Sequence, residues 1–133
     1  MAHRLYTVEE ANAALPEVSR LVQRIADLVP ELPELQEAVR INELKFRRPG
    51  SGEEARERLA ASVARLRATE MAYAVAMRSL ESMDIVLRDQ VRGLVDFHCD
   101  RDGEVVQLCW LLGEESVAHW HRIGEGFQGR KPV

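Results

Sequence analysis

The stretch 94–112, LVDFHCDRDGEVVQLCWLL, decides the fold because it predicts a β-hairpin. Its centre, Asp102-Gly103, suits a two-residue type I′ turn, in which both central residues adopt positive φ. This turn pairs Arg101 with Glu104 and fixes the register of the two strands. Asp96 then lies opposite Cys109.

The register sorts the hairpin side chains, because successive residues of a strand point to opposite faces. One face is apolar and comprises Val95, Phe97, Val106, Leu108 and Trp110. The other face comprises Asp96, His98, Gln107 and Cys109. We expect the apolar face to pack on another layer, and the polar face to need a cover or a ligand. Cys99 and Cys109 fall on opposite faces, so we expect no disulfide between them.

Three helical segments precede the hairpin. Thr7 and Glu10 have the spacing of a capping box, and a stripe of apolar residues with steps of three and four follows to Val29. Pro16 is expected to kink or loosen this helix. Further helices are predicted over 34–46 and 53–83, the second with an apolar stripe that Glu70 interrupts.

These elements predict an α+β fold, a long antiparallel helical hairpin packed with a small antiparallel β-meander. A strand over 85–88 joins the hairpin to give three strands, and 3–6 could add an edge strand. We expect one domain over 1–133, with the helical part at about 7–83 and the β-hairpin and tail at about 84–133.

Composition excludes several classes of function. The formal charge of −4 and the pI of about 5.6 argue against nucleic-acid binding, because phosphate contacts need a basic surface. No apolar run approaches the roughly 20 residues of a membrane span. The opening residues lack the apolar core of a signal peptide, and two cysteines make no disulfide framework, so we expect a cytoplasmic protein.

Two local features have plain interpretations. The basic cluster Lys45, Arg47 and Arg48 precedes a Pro-Gly-Ser-Gly linker and favours the carboxyl end of a helix over a phosphate site. Glu70 could bind a metal or act as a base. A single carboxylate in such a stripe is more typical of an ion pair or an exposed end.

Motifs along the chain resemble a known family. They are TVEEANAALPEV at 7–18, GLVDF at 93–97, CWLLGE at 109–114, HWH at 119–121 and GFQGRKP at 126–132. With these, the chain resembles the uncharacterised bacterial family named domain of unknown function 2203 over nearly its whole length. The resemblance implies a compact bacterial protein and transfers no catalytic residue.

The family pattern covers much of the hairpin and tail. By resemblance, its characteristic residues are Asp96, Phe97, Cys109, Trp110, Gly113, Glu114, Trp120, His121, Gly126, Phe127, Gly129, Arg130 and Pro132. His98 and His119 stand where the family pattern has other residue types. The resemblance therefore gives these two histidines no support.

The polar hairpin face and the HWH tail together predict a metal site. Their candidate ligands for zinc or another first-row transition metal are Asp96, His98, Cys109, His119 and His121. The two tail histidines face the same way only if that segment is extended. In the alternative interpretation, Asp96 accepts hydrogen bonds from the tail, Cys109 fills apolar space and the histidines lie at a wet surface.

Two other motifs give weaker predictions. The G-x-G-x-x-G at 124–129 has no βαβ unit around it, so we expect no dinucleotide site. Cys109 with His121 as base lacks the positive setting that stabilises a thiolate. The glycines of GFQGRKP instead predict close backbone approach, with Phe127 as an apolar anchor and Arg130 paired with a carboxylate.

Two functions follow as hypotheses. The leading one is a non-enzymatic interaction module that forms homo-oligomers, such as a homodimer, because a helical pair buries only part of each apolar stripe. The alternative is a transition-metal-binding protein or metal-dependent enzyme that uses the predicted site. Whether the candidate ligands converge in the fold distinguishes the two.

Overall fold

The computed structural model describes residues 4–133. Its elements are α1 (Val8–Leu28), α2 (Glu31–Phe46), α3 (Gly52–Ser82), β1 (Ile85–Asp89), β2 (Leu94–Arg101), β3 (Glu104–Leu111), β4 (His119–His121) and β5 (Lys131–Pro132). The predicted α+β class is confirmed. The chain forms two compact units, one from residues up to 26 together with 76–133, the other from 27–75. The single-domain organisation stays a prediction.

Helix α1 begins where the capping box predicts. The Thr7 hydroxyl accepts the Glu10 amide at 3.0 Å, and the Glu10 carboxylate accepts the Thr7 amide at 2.9 Å. The helix continues through Pro16. Its buried face consists of Ala11, Leu15, Val18, Leu21, Val22 and Ile25.

The second unit contains α2 and most of α3. Helix α2 begins at Glu31, three residues before the predicted start. Pro33 is compatible with this start because it lies in the first turn, where backbone amides have no hydrogen-bond partner within the helix. Lys45 lies in its last turn and Arg47 caps it, in agreement with the interpretation of the basic cluster. Glu70 is exposed on α3.

The five strands form one antiparallel sheet in the order β1-β2-β3-β4-β5. The register of the hairpin is confirmed, with Arg101 opposite Glu104 and Asp96 opposite Cys109. The turn residues Asp102 and Gly103 have φ of 53° and 87°, as a type I′ turn requires. Cys99 and Cys109 are free.

The sheet has five strands where the sequence predicts three. The tail adds β4, which pairs with β3, and β5, which pairs with β4. These strands have three and two residues, too few to show an alternating pattern. Residues 4–6 form no strand, although the Tyr6 amide donates to the His98 carbonyl at 2.7 Å, and His3 of the predicted edge strand lies outside the described residues.

The apolar face of the hairpin is core. Phe97 and Trp110 are buried, and the Tyr6 ring meets Phe97 edge to face with centroids 5.2 Å apart. Helix α1 closely approaches the turn between β1 and β2, since a Cβ on Gly93 would lie 2.8 Å from Val22. Among the helices of residues 4–133, none is long and apolar enough to cross a membrane.

Candidate metal centre

Three strands bring one buried cluster together on the polar face of the sheet. Strand β2 supplies Asp96, β3 supplies Cys109 directly opposite, and β4 supplies His121. One ligand atom from each residue lies within 4.8 Å of the others, and all three side chains are buried. The extended tail strand is what places the histidine beside the hairpin.

Asp96 is the centre of the hydrogen bonds in this cluster. Its Oδ1 lies 3.0 Å from His121 Nε2, and its Oδ2 accepts Arg88 Nε at 2.8 Å. A buried carboxylate needs such partners to offset lost hydration. The carboxylate therefore depends on residues from two other strands.

The two ring nitrogens of His121 both face acceptors. Nδ1 lies 2.9 Å from the Arg122 carbonyl, and Nε2 faces Asp96. A carbonyl can only accept, so Nδ1 carries a proton. The ring satisfies both partners when Nε2 is protonated as well, and a metal ion beside Nε2 would remove that need. A ligating histidine commonly donates its other ring N–H to a carbonyl in this manner.

Cys109 is a protonated thiol near neutral pH. Burial, reinforced by the negative charge of Asp96 and a hydrogen bond to it, raises the pKa of Cys109 to about 12. Such a thiol is a poor nucleophile. The adjacent carboxylate would nevertheless attract a divalent cation, and a bound cation would displace the thiol proton.

The other two predicted ligands lie outside this cluster. His98 pairs with Gln107, two residues nearer the hairpin turn than the Asp96–Cys109 pair, and its Nε2 lies 3.5 Å from the Gln107 amide nitrogen. His119 shares the face of His121 because β4 is extended, but its Nδ1 lies 4.0 Å from Glu114. The predicted set of five thus separates into three convergent residues and two neighbours.

Arg130 hydrogen-bonds the tail to Glu114 and to strand β3 beside the cluster. Its guanidinium donates to both carboxylate oxygens of Glu114, at 2.7 and 2.9 Å, and to the Cys109 carbonyl at 3.2 Å. Burial raises the pKa of Glu114, but the Arg130 and Leu111 hydrogen bonds outweigh it and hold that pKa below its ordinary value. The pair that the sequence predicts for Arg130 is therefore present, with Glu114 as the carboxylate.

A cleft of about 430 Å³ lies over the cluster. Its lining residues are Arg88, Leu94, Asp96, Gln107, His121, Ile123, Gly124, Gly126 and Phe127. Sequence reasoning misses Arg88, which lies where the β1–β2 register shifts. Arg88 lies two residues after Val86, the partner of Asp96, so alternation places it on the polar face once the register between β1 and β2 is known. The sequence does not specify that register. Two of the three cluster residues line the cleft.

Comparison with known proteins gives the family. No curated protein and no solved structure matches the chain significantly. One family model, described as an uncharacterized conserved protein (DUF2203), matches residues 4–133. Because that match covers all the described residues, the chain belongs to the DUF2203 family.

Proposed function

We propose that this protein binds a first-row transition-metal ion, zinc in particular, through Asp96, Cys109 and His121. The observation that carries the proposal is the convergence of an oxygen, a sulfur and a nitrogen ligand within 4.8 Å in a buried site. These are the three donor types that zinc takes from proteins. The other two predicted ligands, His98 and His119, are not part of the proposed centre.

The surroundings of the cluster fit a metal ligand set. Zinc ligands lie about 2.0–2.3 Å from the ion, so the ligand atoms of one site are roughly 3–4 Å apart. Asp96 and His121 already satisfy this spacing at 3.0 Å. The Arg122 carbonyl holds Nδ1 of His121, which directs Nε2 toward the cluster. An aspartate and a thiolate together balance a divalent charge.

A buried ion pair is the competing interpretation of the same residues. In that arrangement Asp96 only pairs with Arg88 and hydrogen-bonds His121, and Cys109 only fills space. The two interpretations differ in their dependence on Cys109. A metal centre needs its thiolate, whereas an ion pair tolerates the isosteric serine.

Metal content of untagged protein, purified without chelator and measured by plasma mass spectrometry, tests the proposal. We expect near-stoichiometric metal in the wild type, and its loss in Asp96→Asn, Cys109→Ser and His121→Gln. Cys99→Ser and His98→Gln are matched controls, one on the opposite face of the hairpin and one beside the cluster, and both should retain metal. Folded wild-type protein that neither contains metal nor binds added zinc in calorimetry would overturn the proposal.

Self-association through the helices is a second candidate function, and the second unit favours it. No residue of 27–75 is buried. On α2, Ile41 is 43% exposed and Leu44 is 58% exposed. A second copy of the chain is the proposed partner, because two such helical pairs can bury their apolar stripes in a four-helix bundle.

Sedimentation velocity at micromolar concentration tests this second candidate. We expect a dimer for the wild type and dissociation for the double variant Ile41→Ser, Leu44→Ser. Val91→Ser changes an exposed apolar residue of the other unit and should leave the dimer intact. A wild-type monomer at tens of micromolar would overturn the candidate.

A further inference from the structure

We infer that the cleft over the proposed metal centre binds a small organic carboxylate, whose anionic group pairs with Arg88 and the bound ion and whose apolar group packs on Phe127 and Ile123. The inference rests on the proposed function. It adds the chemical class of the ligand. The cleft volume of about 430 Å³ suits a small molecule.

Access to the centre comes from the cleft side. Asp96 and His121 line the cleft, so an ion held by them would be within reach of a ligand there. Three protein ligands leave a tetrahedral ion one open position, which is how catalytic and ligand-binding zinc sites are built. The cleft is thus the side from which that position can be filled.

Arg88 provides a second anchor for an anion. Its Nε is engaged by Asp96, while its terminal nitrogens make no hydrogen bond or ion pair with any residue of 4–133. Its side chain is 48% exposed and lines the cleft. A guanidinium with one edge fixed and the other open presents planar donors to a carboxylate.

The charge of the site favours a monoanion. A divalent ion that displaced the Cys109 thiol proton would be balanced by that thiolate and Asp96, which would leave the single positive charge of Arg88 in the cleft. A carboxylate matches that charge, whereas a phosphate dianion exceeds it. Electrostatic complementarity of this kind decides which class of ligand a small site prefers.

An apolar wall lines part of the same cleft. It is formed by Leu94, Ile123 and Phe127, and Ile123 is 60% exposed. The Phe127 ring is held in place by guanidinium groups, with Arg130 4.6 Å and Arg92 5.5 Å from its centroid. An apolar substituent next to the carboxylate would cover this wall, so the structure favours benzoate-like ligands over acetate.

Cobalt-substituted protein tests the inference, because the visible absorption of bound cobalt reports directly on a ligand entering its open position. Cobalt uptake is measured first. The loaded protein is then titrated with benzoate, with acetate, with phosphate and with the neutral analogue benzamide. We expect saturable spectral change with benzoate, weaker binding of acetate and phosphate, and none of benzamide.

Substitutions at two residues separate the contribution of the anion anchor from that of the apolar wall. Arg88→Gln should weaken benzoate about tenfold, as expected for loss of one charge-assisted contact, and Arg88→Lys should weaken it less. Ile123→Ser should weaken benzoate but leave acetate unchanged. Arg101→Gln, on the opposite face of the sheet, is the control and should change neither.

The failures of the two proposals are distinguishable. Protein that takes up no cobalt contradicts the metal centre itself. Cobalt-loaded protein with no spectral response to benzoate leaves the centre intact and overturns the carboxylate inference. Phosphate that binds as tightly as benzoate, or an Ile123→Ser variant that weakens acetate equally, would also overturn it.

Discussion

His121 Nε2 lies 3.0 Å from Asp96 Oδ1 across 25 residues of sequence, and both side chains are almost fully buried. The strands between them explain how this contact forms. The hairpin turn places β3 beside β2, and the tail then returns along β3 as β4. The contact therefore joins the tail to the hairpin at the proposed metal centre.

Replacing Asp96 should strongly destabilise the protein. Asp96→Asn keeps the shape but removes the buried charge that pairs with Arg88 and faces His121 Nε2. Loss of one partner of a buried ion pair typically costs about 3–5 kcal/mol, and because Arg88 is half exposed we expect about 3 kcal/mol. Urea unfolding of metal-free protein measures this change.

Asp102→Asn is the matched control for that measurement. It removes a carboxylate from an exposed turn position with positive φ, a conformation that asparagine tolerates. Its effect should stay within about 0.5 kcal/mol. Equal losses in the two variants would show that Asp96 has no special role in stability.

Much of the hairpin could be predicted because its rules are local. Asp102-Gly103 specifies the turn, and the turn fixes every pair from Arg101–Glu104 to Asp96–Cys109. The polar face and two of the three convergent residues follow from that register. The capping box at Thr7 is local in the same sense.

The remainder of the site depends on long-range packing. The pairing of β4 with β3 places His121 at the cluster, and no pattern within three residues can specify it. Arg88 reaches Asp96 from the strand with a register shift. The sequence therefore includes the three convergent residues among its candidates, but cannot select His121 over His98 and His119.

The Cys109 thiol should be unreactive in the folded protein. Its pKa is raised to about 12, so almost none is thiolate near pH 8, and the sulfur is buried. The variant Cys99→Ser isolates it for labelling with a disulfide reagent in metal-free protein. We expect very slow labelling in buffer and complete labelling in denaturant. Rapid labelling of the native variant would contradict the raised pKa.

The Glu114–Arg130 pair should make stability depend on pH. The pKa of Glu114 is lowered in the folded state, so its contribution is fully present above the unfolded value of about 4.3 and is lost as pH falls through the folded value. Glu114→Gln should therefore lower the free energy of unfolding by about 1–2 kcal/mol at neutral pH. Its difference from the wild type should vanish in acid.

Chemical denaturation over a range of pH measures that difference. The control is Glu115→Gln, which changes the exposed neighbouring glutamate. The control should follow the wild-type curve. A Glu114→Gln deficit that persists unchanged at the lowest pH at which both proteins fold would show that the pair acts through packing rather than charge.

Gly93 should be less replaceable by alanine than Gly50, although their backbones have nearly equal φ of +76° and +77°. A Cβ at Gly93 would lie 2.6 Å from the Leu112 Cβ and 2.8 Å from Val22, whereas nothing lies within 4 Å at Gly50. Both variants bear the cost of a left-handed residue, about 1–2 kcal/mol. Gly93→Ala must also displace packed atoms, which typically adds about 1–3 kcal/mol. The difference between the two variants in thermal and urea unfolding measures the steric cost. Equal losses in the free energy of unfolding would mean that Leu112 and Val22 move aside without cost.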